Sequence, residues 1–327
     1  MTRRAPLALA AALPLTLALA ACSTADGGPG GDSDDGVQVL ASFYPLQYVA
    51  EQVGGDLVSV DNLTPPAAEP HDLELAPSQV REVGDAALVV FQSGFQPAVD
   101  EAVEARAPEH VVDAAELVTL EADPGSVEHA DDHEGETAEH ADEESGDAHD
   151  HGNLDPHFWL DPTLLVPVAD EIAAELGAAD PDNADTYAAN AAALTATLED
   201  LDTDYAAALE PCQGETLVTS HAAFGYLAER YGLSQIGISA LDPEAEPSPA
   251  RLREIGDVVV DNDVQTIFTE TLTSPKVAET LADDLGVTTA VLDPLEGLST
   301  DAAESGTDYL SVMDANLAAI TEGLGCA

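Results

Sequence analysis

The amino-acid sequence predicts an α/β fold made of two β/α lobes with parallel sheets, joined by a long helix. Short runs rich in β-branched and apolar residues alternate with amphipathic segments over residues 37–112, and the same alternation returns over 216–321. Between these regions, apolar residues recur at three-, four- and seven-residue spacing over 183–209, as in a helix. Strands separated by helices pair in parallel, because a parallel neighbour requires a crossover connection.

The first lobe is expected to contain four strands and the helices that connect them. The strands are predicted at 37–43, 57–63, 87–92 and 110–112. The helices are predicted at 46–53, 77–83, 97–105 and 162–176. Together they form an N-terminal lobe over 37–180, interrupted by an insert at 121–152.

The linking helix is predicted over 181–210. Pro181 and Asp182 mark its start, and Pro211 ends it. A helix of this length spans roughly 40 Å, which is enough to connect two lobes. A long packing helix within one domain is the alternative.

The second lobe repeats the pattern over 211–327. Its strands are predicted at 216–220, 235–238, 266–269 and 289–292. Its helices are predicted at 224–231, 249–261, 275–285 and 308–321.

The N-terminus has the features of a lipoprotein signal peptide over residues 1–21. Arg3 and Arg4 precede an apolar run that is too short for a membrane span and ends in small residues. The sequence LAAC at its end resembles a bacterial lipobox, in which Cys22 would carry lipid. A Gly-, Ser- and Asp-rich stretch over 22–36 follows as a flexible tether. These features predict an extracytoplasmic protein anchored by lipid to the outer face of the cell membrane; an ordinary signal peptide with a nearby cysteine is the alternative.

The charge excludes several classes of partner. The chain has 64 acidic and 8 basic residues, for a net charge of −56. Such a polyanion has no basic patch for phosphates, which excludes nucleic-acid binding, whereas it concentrates divalent cations. Adaptation to high salt explains the same composition, since Lys276 is the only lysine. Both explanations stay open.

The cysteines predict one disulfide. If Cys22 carries lipid, Cys212 and Cys326 remain as a pair in an oxidising compartment.

The insert at 121–152 combines many carboxylates with almost no large apolar residue, so we expect it to be disordered. It also holds five of the nine histidines of the chain. Histidine-rich tracts bind metals by composition, which predicts an accessory metal-collecting loop. An acidic linker that acquired histidines by chance is the alternative. The five residues are His129, His133, His140, His149 and His151.

Four other residues are the candidates for a functional site. His71 lies in EPHD and His157 in DPHFWLDP, while His221 ends the strand LVTSH and Asp293 ends the strand TAVLD. Ligands of parallel α/β sheets bind beyond the carboxyl ends of the strands. Three of the four residues follow a strand directly or through a short loop, and two come from each lobe.

The motifs EPHDLELAPSQV, DPHFWLDP, VTSHAAFGYLAERYGL, IFTETLTSPK and LDPLEGL occur in this order, with the His-rich insert before the second. Together they resemble the zinc- and manganese-binding proteins of bacterial ABC importers, in particular the zinc-uptake subgroup (ZnuA-like, TroA-like class, cluster A-I). The resemblance covers nearly all of 37–321. It implies two lobes joined by a rigid helix, a metal site in the cleft between them, an ABC permease as partner and a monomeric chain. The implied ligands are His71, His157, His221 and Asp293.

The chemistry of this ligand set favours Zn²⁺ as the transported ion. Three imidazoles and one carboxylate suit a tetrahedral zinc site, whereas manganese prefers more oxygen donors. His221 discriminates between the two, since manganese-type relatives tend to carry Glu there, although Mn²⁺ is possible with three histidines. We expect Glu69 and Asp72 to orient His71, and Glu270 to be structural or a reserve ligand.

Other functional classes are less well supported. A zinc hydrolase leaves one position for water and supplies a general base, and the sequence has no HExxH, GxSxG or phosphate-loop motif. We therefore expect a binding protein, not an enzyme. A manganese- or iron-binding importer subunit of the same fold, or a metal-dependent surface adhesin, is the alternative.

Overall fold

The computed structural model describes residues 36–122 and 154–326, which contain two four-stranded parallel sheets. The first sheet has the order β2-β1-β3-β4 and the second has the order β6-β5-β7-β8, so the two lobes share one topology. The first comprises β1 (Val37–Ala41), β2 (Val58–Asn62), β3 (Leu88–Phe91) and β4 (Val111–Asp113). The second comprises β5 (Thr216–Thr219), β6 (Ser234–Gly237), β7 (Thr266–Thr269) and β8 (Thr288–Val291). The predicted two-lobe parallel α/β fold is confirmed.

Helices connect the strands in both lobes. In the first they are α1 (Tyr44–Gly54), α2 (Pro77–Asp85), α3 (Pro97–Arg106), α4 (Ala114–Leu117) and α5 (Leu165–Ala179). In the second they are α7 (Gly225–Tyr231), α8 (Pro249–Asp261), α9 (Lys276–Leu285), α10 (Thr300–Ser305) and α11 (Tyr309–Leu324). Proline begins three of them, where its missing N–H leaves no hydrogen bond unmade. The short α4 and α10 were not predicted, because four and six residues are too few to display a helical period.

The lobes are joined by α6 (Ala184–Leu209), which has 26 residues and is flanked by short 3-10 turns. It packs against α1 and α5 of the first lobe and against α7 and α11 of the second. Its buried positions follow the predicted spacing; they are Tyr187, Ala191, Leu194, Leu198, Leu201, Tyr205 and Leu209. The long linking helix expected from the sequence is therefore present.

The largest buried apolar cluster crosses from one lobe to the other, from Val39 on β1 to Ile320 on α11. A smaller cluster lies under α2 and α3, and another lies under α8 and α9. Each sheet is thus covered on both faces, as parallel sheets are.

Cys212 and Cys326 form the predicted disulfide, with their Cα atoms 5.4 Å apart. The bond ties Cys326, two residues beyond the end of α11, to Cys212, which lies in the 3-10 turn directly after the linking helix α6. It joins residues 114 positions apart in sequence.

Several predictions lie outside the described residues: the signal peptide, Cys22, nearly all of the tether, and the five histidines of the insert. In the part of the chain that the structure describes, none of the helices has the length and apolar character needed to cross a membrane.

Candidate metal centre

The three predicted histidines meet in the cleft between the lobes. His71 lies on the loop between β2 and α2, and His157 immediately precedes a 3-10 turn at Phe158–Leu160. His221 follows β5 by two residues. The fourth member of the group is Glu296, five residues beyond β8. Each lobe therefore supplies two of the four side chains.

The four side chains present one ligand atom each to a common centre. The Nε2 atoms of the histidines lie 3.0–3.1 Å from Glu296 Oε1. His157 Nε2 and His221 Nε2 are 3.4 Å apart, and all four atoms lie within 4.8 Å of one another. Zinc ligands at about 2.0–2.1 Å in a tetrahedron are separated by roughly 3.3 Å. The spacing therefore fits a small divalent ion.

The site is almost closed to solvent. The side chains of His157 and His221 are fully buried, and Glu296 is 1% exposed. The imidazole of His71 is 15% exposed, so an ion that enters meets this residue at the rim.

Carboxylates outside the centre fix the two buried rings. His157 donates its backbone N–H and its Nδ1–H to Asp155 Oδ1, at 3.0 and 2.7 Å. His221 donates the same two groups to Glu270 Oε1, at 3.0 and 2.7 Å. With Nδ1 engaged, each Nε2 is directed at the centre as a metal ligand requires.

Glu270 thus binds the ring of His221 instead of the centre, so the structure places it as an orienting residue and not as a ligand. Glu69 Oε1 accepts the backbone N–H of His71 at 3.0 Å, and Glu69 Oε2 accepts that of Asp72 at 3.3 Å. Asp72 was expected to orient the ring of His71. Its observed connection to His71 is that the backbone N–H groups of both residues donate to the carboxylate of Glu69.

In the metal-free site, the buried histidines and the carboxylate of Glu296 stabilise each other's charged forms. Burial lowers the pKa of His221, but the carboxylates of Glu296 and Glu270 outweigh it and raise this pKa to about 10. Burial also lowers the pKa of His157, and Asp155 and Glu296 raise it above its usual value. Burial raises the pKa of Glu296, yet the histidines hold it well below its usual range. A carboxylate ionised in such a dry site needs positive charge beside it.

Asp293, the predicted fourth ligand, is not part of the cluster. Its Oδ1 accepts the N–H of Leu295 and its Oδ2 accepts the hydroxyl of Thr271, each at 2.8 Å. Asn316 accepts the N–H of Asp293 at 2.9 Å and donates to its carbonyl at 2.7 Å. The carboxylate is thus engaged in holding its own loop, which corrects the sequence prediction at this position.

The backbone explains why Glu296, and not Asp293, lies beside the three histidines. Asp293 is the first polar residue after β8, but the chain turns sharply at Leu295, whose φ of 58° lies in the left-handed region that non-glycine residues rarely adopt. That turn delivers Glu296 to the centre. The signal was present in the sequence, because the motif LDPLEGL contains both carboxylates.

Known proteins are similar to this chain over most of its length. The family described as zinc-uptake complex component A, periplasmic (ZnuA) matches residues 39–323. The high-affinity zinc uptake system protein ZnuA of Bacillus subtilis is 35% identical over 310 residues, which cover 94% of each chain. The zinc-binding lipoprotein AdcA of Streptococcus pneumoniae is 34% identical over 311 residues, which cover 94% of this chain but only 58% of AdcA.

The fold of this chain also matches those of solved structures. Zn(II)-bound AdcA from Streptococcus pneumoniae has a TM-score of 0.71 and 32% identity, covering 88% of this chain and 58% of that one. The laminin binding protein Lmb of Streptococcus agalactiae, described as bifunctional with adhesin and metal transporting activity, has a TM-score of 0.75 and 32% identity. The match covers 89% of this chain and all of Lmb. The chain therefore belongs to the zinc-uptake complex component A (ZnuA) family.

Proposed function

We propose that this protein binds Zn²⁺ in the cleft through His71, His157, His221 and Glu296, and delivers it to an ABC-type importer. One observation carries the proposal: three Nε2 atoms converge on one buried carboxylate oxygen at 3.0–3.1 Å. For the two buried histidines the other ring nitrogen is engaged by a carboxylate. Both nitrogens of such a ring have a bonding partner only when the ring is protonated or when Nε2 binds a metal ion.

The donor set supports zinc as the ion. Three nitrogens and one oxygen suit a borderline-soft ion in a closed, four-coordinate site. Glu296 Oε2 is buried and has no hydrogen-bond partner among the described residues, so it is free to approach an ion. The relatives named above as zinc-uptake and zinc-binding proteins support the same choice. Manganese remains the competing ion.

The remaining parts of the proposal concern location and delivery. Family membership supports an extracytoplasmic component that passes its ion to a permease. The sequence LAAC, which ends at Cys22 and resembles a lipobox, supports a lipid anchor on the outer face of the membrane. The resemblance to the importer-binding proteins supports a monomeric chain. The His-rich insert supports capture of additional ions beside the cleft, because it is tethered just before His157.

Metal analysis tests the binding function directly. Protein purified without added metal and then dialysed against Zn²⁺ should hold one tightly bound ion per chain, and Zn²⁺ should displace Mn²⁺ in competition. A variant lacking residues 123–153 should keep this tight site and lose only additional, weaker ones, because the four proposed ligands of the tight site all lie outside the deleted residues. If the variant also lost the tight site, the insert would supply a ligand and the assignment would be wrong.

The likeness to Lmb supports a second candidate, a metal-dependent adhesin. Binding of the zinc-loaded and metal-free chain to immobilised laminin tests it. Saturable binding that depends on zinc would add this function, and its absence would leave transport alone.

A further inference from the structure

The loop between β3 and α3, residues 92–96 with the sequence QSGFQ, contacts two of the segments that carry proposed ligands. Its first and last residues are glutamines with almost fully buried side chains, 2% exposed at Gln92 and 1% at Gln96. A buried amide is costly unless its N–H groups find acceptors. The acceptors of these two amides therefore identify what the loop supports.

Each amide donates to the carbonyl of a proline that directly precedes a histidine of the centre. Gln92 Nε2 donates to Pro156 O at 2.9 Å. Gln96 Nε2 donates to Pro70 O at 3.3 Å and to Thr64 Oγ1 at 2.9 Å. One five-residue loop thus holds both histidine-bearing segments of the first lobe.

These bonds fix the histidine backbone because a peptide unit is planar, so that the proline carbonyl and the next N–H lie in one plane. The N–H of His71 donates to Glu69 Oε1, and the N–H of His157 donates to Asp155 Oδ1, each at 3.0 Å. Each proline–histidine peptide is therefore held at both ends, by a glutamine amide and by a carboxylate.

The loop also contacts one ring directly and is itself fixed. The ring of Phe95 packs edge-on against His71, with centroids 4.8 Å apart. Ser93 N–H donates to Asp113 Oδ1 at 3.0 Å. The turn between Ser93 and Phe95 requires a glycine at position 94, because the φ of 81° at Gly94 is unstrained only for glycine.

We infer that Gln92 and Gln96 are positioning residues of the metal site, which fix the separation of His71 and His157 before an ion arrives. The inference rests on the proposed function, since it concerns the same site. Neither glutamine touches the ion, and the effect passes through the two proline carbonyls. Residues that support metal ligands typically change affinity about 10–100-fold when they are replaced.

Gln92→Met and Gln96→Met test this, because methionine keeps the length of the side chain and removes both donors. Each variant should bind one Zn²⁺ with an affinity reduced about 10–100-fold. With Co²⁺ as the probe, the visible absorption of the four-coordinate site should shift or weaken. In spectra of ¹⁵N-histidine-labelled, metal-free protein, Gln92→Met should move the ring signals of His157 most, and Gln96→Met those of His71.

Gln79→Met is the matched control. Gln79 Nε2 donates to Leu63 O at 3.0 Å, a carbonyl that does not precede a histidine. The control should lose some stability and keep the zinc affinity and the Co²⁺ spectrum. If a methionine variant does not fold, Gln92→Asn or Gln96→Asn, which withdraws the amide by one methylene, gives the same readouts.

Unchanged zinc affinity and an unchanged Co²⁺ spectrum in the folded Gln92 and Gln96 variants would overturn the inference and leave the proposed function intact. Failure of the unmodified chain to bind Zn²⁺ would overturn the proposed function instead. The two failures are therefore distinguishable.

Discussion

The indole Nε1 of Trp159 donates a 2.8 Å hydrogen bond to the carbonyl of Pro294. Trp159 follows His157 by two residues, and Pro294 precedes Glu296 by two, so the bond connects segments that carry ligands from opposite lobes. The indole is fully buried. The relative placement of these two proposed ligands therefore depends on a residue that is not itself a ligand.

Replacing Trp159 with Phe should lower both stability and zinc affinity. The carbonyl of Pro294 would lose its partner in a dry environment, which costs about 1–3 kcal/mol. Urea unfolding measures the stability, and competition with a chromophoric chelator measures the affinity. Tyr205→Phe is the control, because it removes a buried hydroxyl that donates to Met313 O at 2.6 Å from α6, which carries no ligand. An equal loss of affinity in the control would contradict this explanation.

Glu296 and Asp293 should differ in their effect on zinc affinity, because only Glu296 lies in the group with the three histidines. Glu296→Gln removes the anionic ligand. Asp293→Asn alters only a residue that supports the loop, so its affinity loss should not exceed about 10–100-fold. Glu296→Gln should therefore lose more affinity than Asp293→Asn in the same chelator competition. The opposite order would return Asp293 to the ligand set.

Zinc affinity should rise with pH through the neutral range. Because the pKa of His221 is raised to about 10 and that of His157 is also raised, zinc must displace protons from the metal-free site. Calorimetry in buffers of different ionisation enthalpy should therefore detect proton release on binding near pH 7. Binding without proton release would show that the rings are already neutral.

The same shifts predict how the metal-free protein responds to pH. The folded-state pKa of His221 lies above the value of about 6.5 in an unfolded chain. Its contribution to stability is therefore fully present below pH 6.5 and is lost as the pH rises towards 10. Urea unfolding should show this loss in the unmodified metal-free chain and a smaller one in His221→Gln. Equal slopes in the two proteins would contradict the prediction.

The disulfide should stabilise the fold without affecting the metal centre. Closing a loop between Cys212 and Cys326, 114 positions apart, contributes about 4–5 kcal/mol in the chain-entropy model. The Cys212→Ser, Cys326→Ser double variant should unfold at lower urea concentration and keep the zinc affinity of the unmodified chain. Two free thiols in denatured, unreduced protein would rule the bond out.

Much of the fold was predictable because its signals are local. The strand Thr266–Thr269 and the helix Pro249–Asp261 begin and end where the sequence predicted them. His71 and His221 were predictable because parallel topology gathers the carboxyl ends of strands at one edge. His157 does not follow a strand directly, and it was predicted from the resemblance that the motif DPHFWLDP carries.

The remaining features depend on tertiary structure. The selection of Glu296 over Asp293 follows from the left-handed backbone at Leu295, which sequence periodicity does not reveal. The bonds from Gln92 and Gln96 join residues 64 and 26 positions apart, and neither glutamine belongs to a recognisable motif. Local patterns do not report such contacts, because they form only when distant loops pack together.

The central claim is that one Zn²⁺ ion is bound by His71, His157, His221 and Glu296. Anomalous scattering from crystals of the zinc-loaded protein, measured on both sides of the zinc absorption edge, tests it most directly. The account predicts one dominant peak within about 2.0–2.2 Å of the three Nε2 atoms and of a Glu296 carboxylate oxygen. A dominant peak elsewhere, or a peak at this position without Glu296 among its ligands, would contradict it.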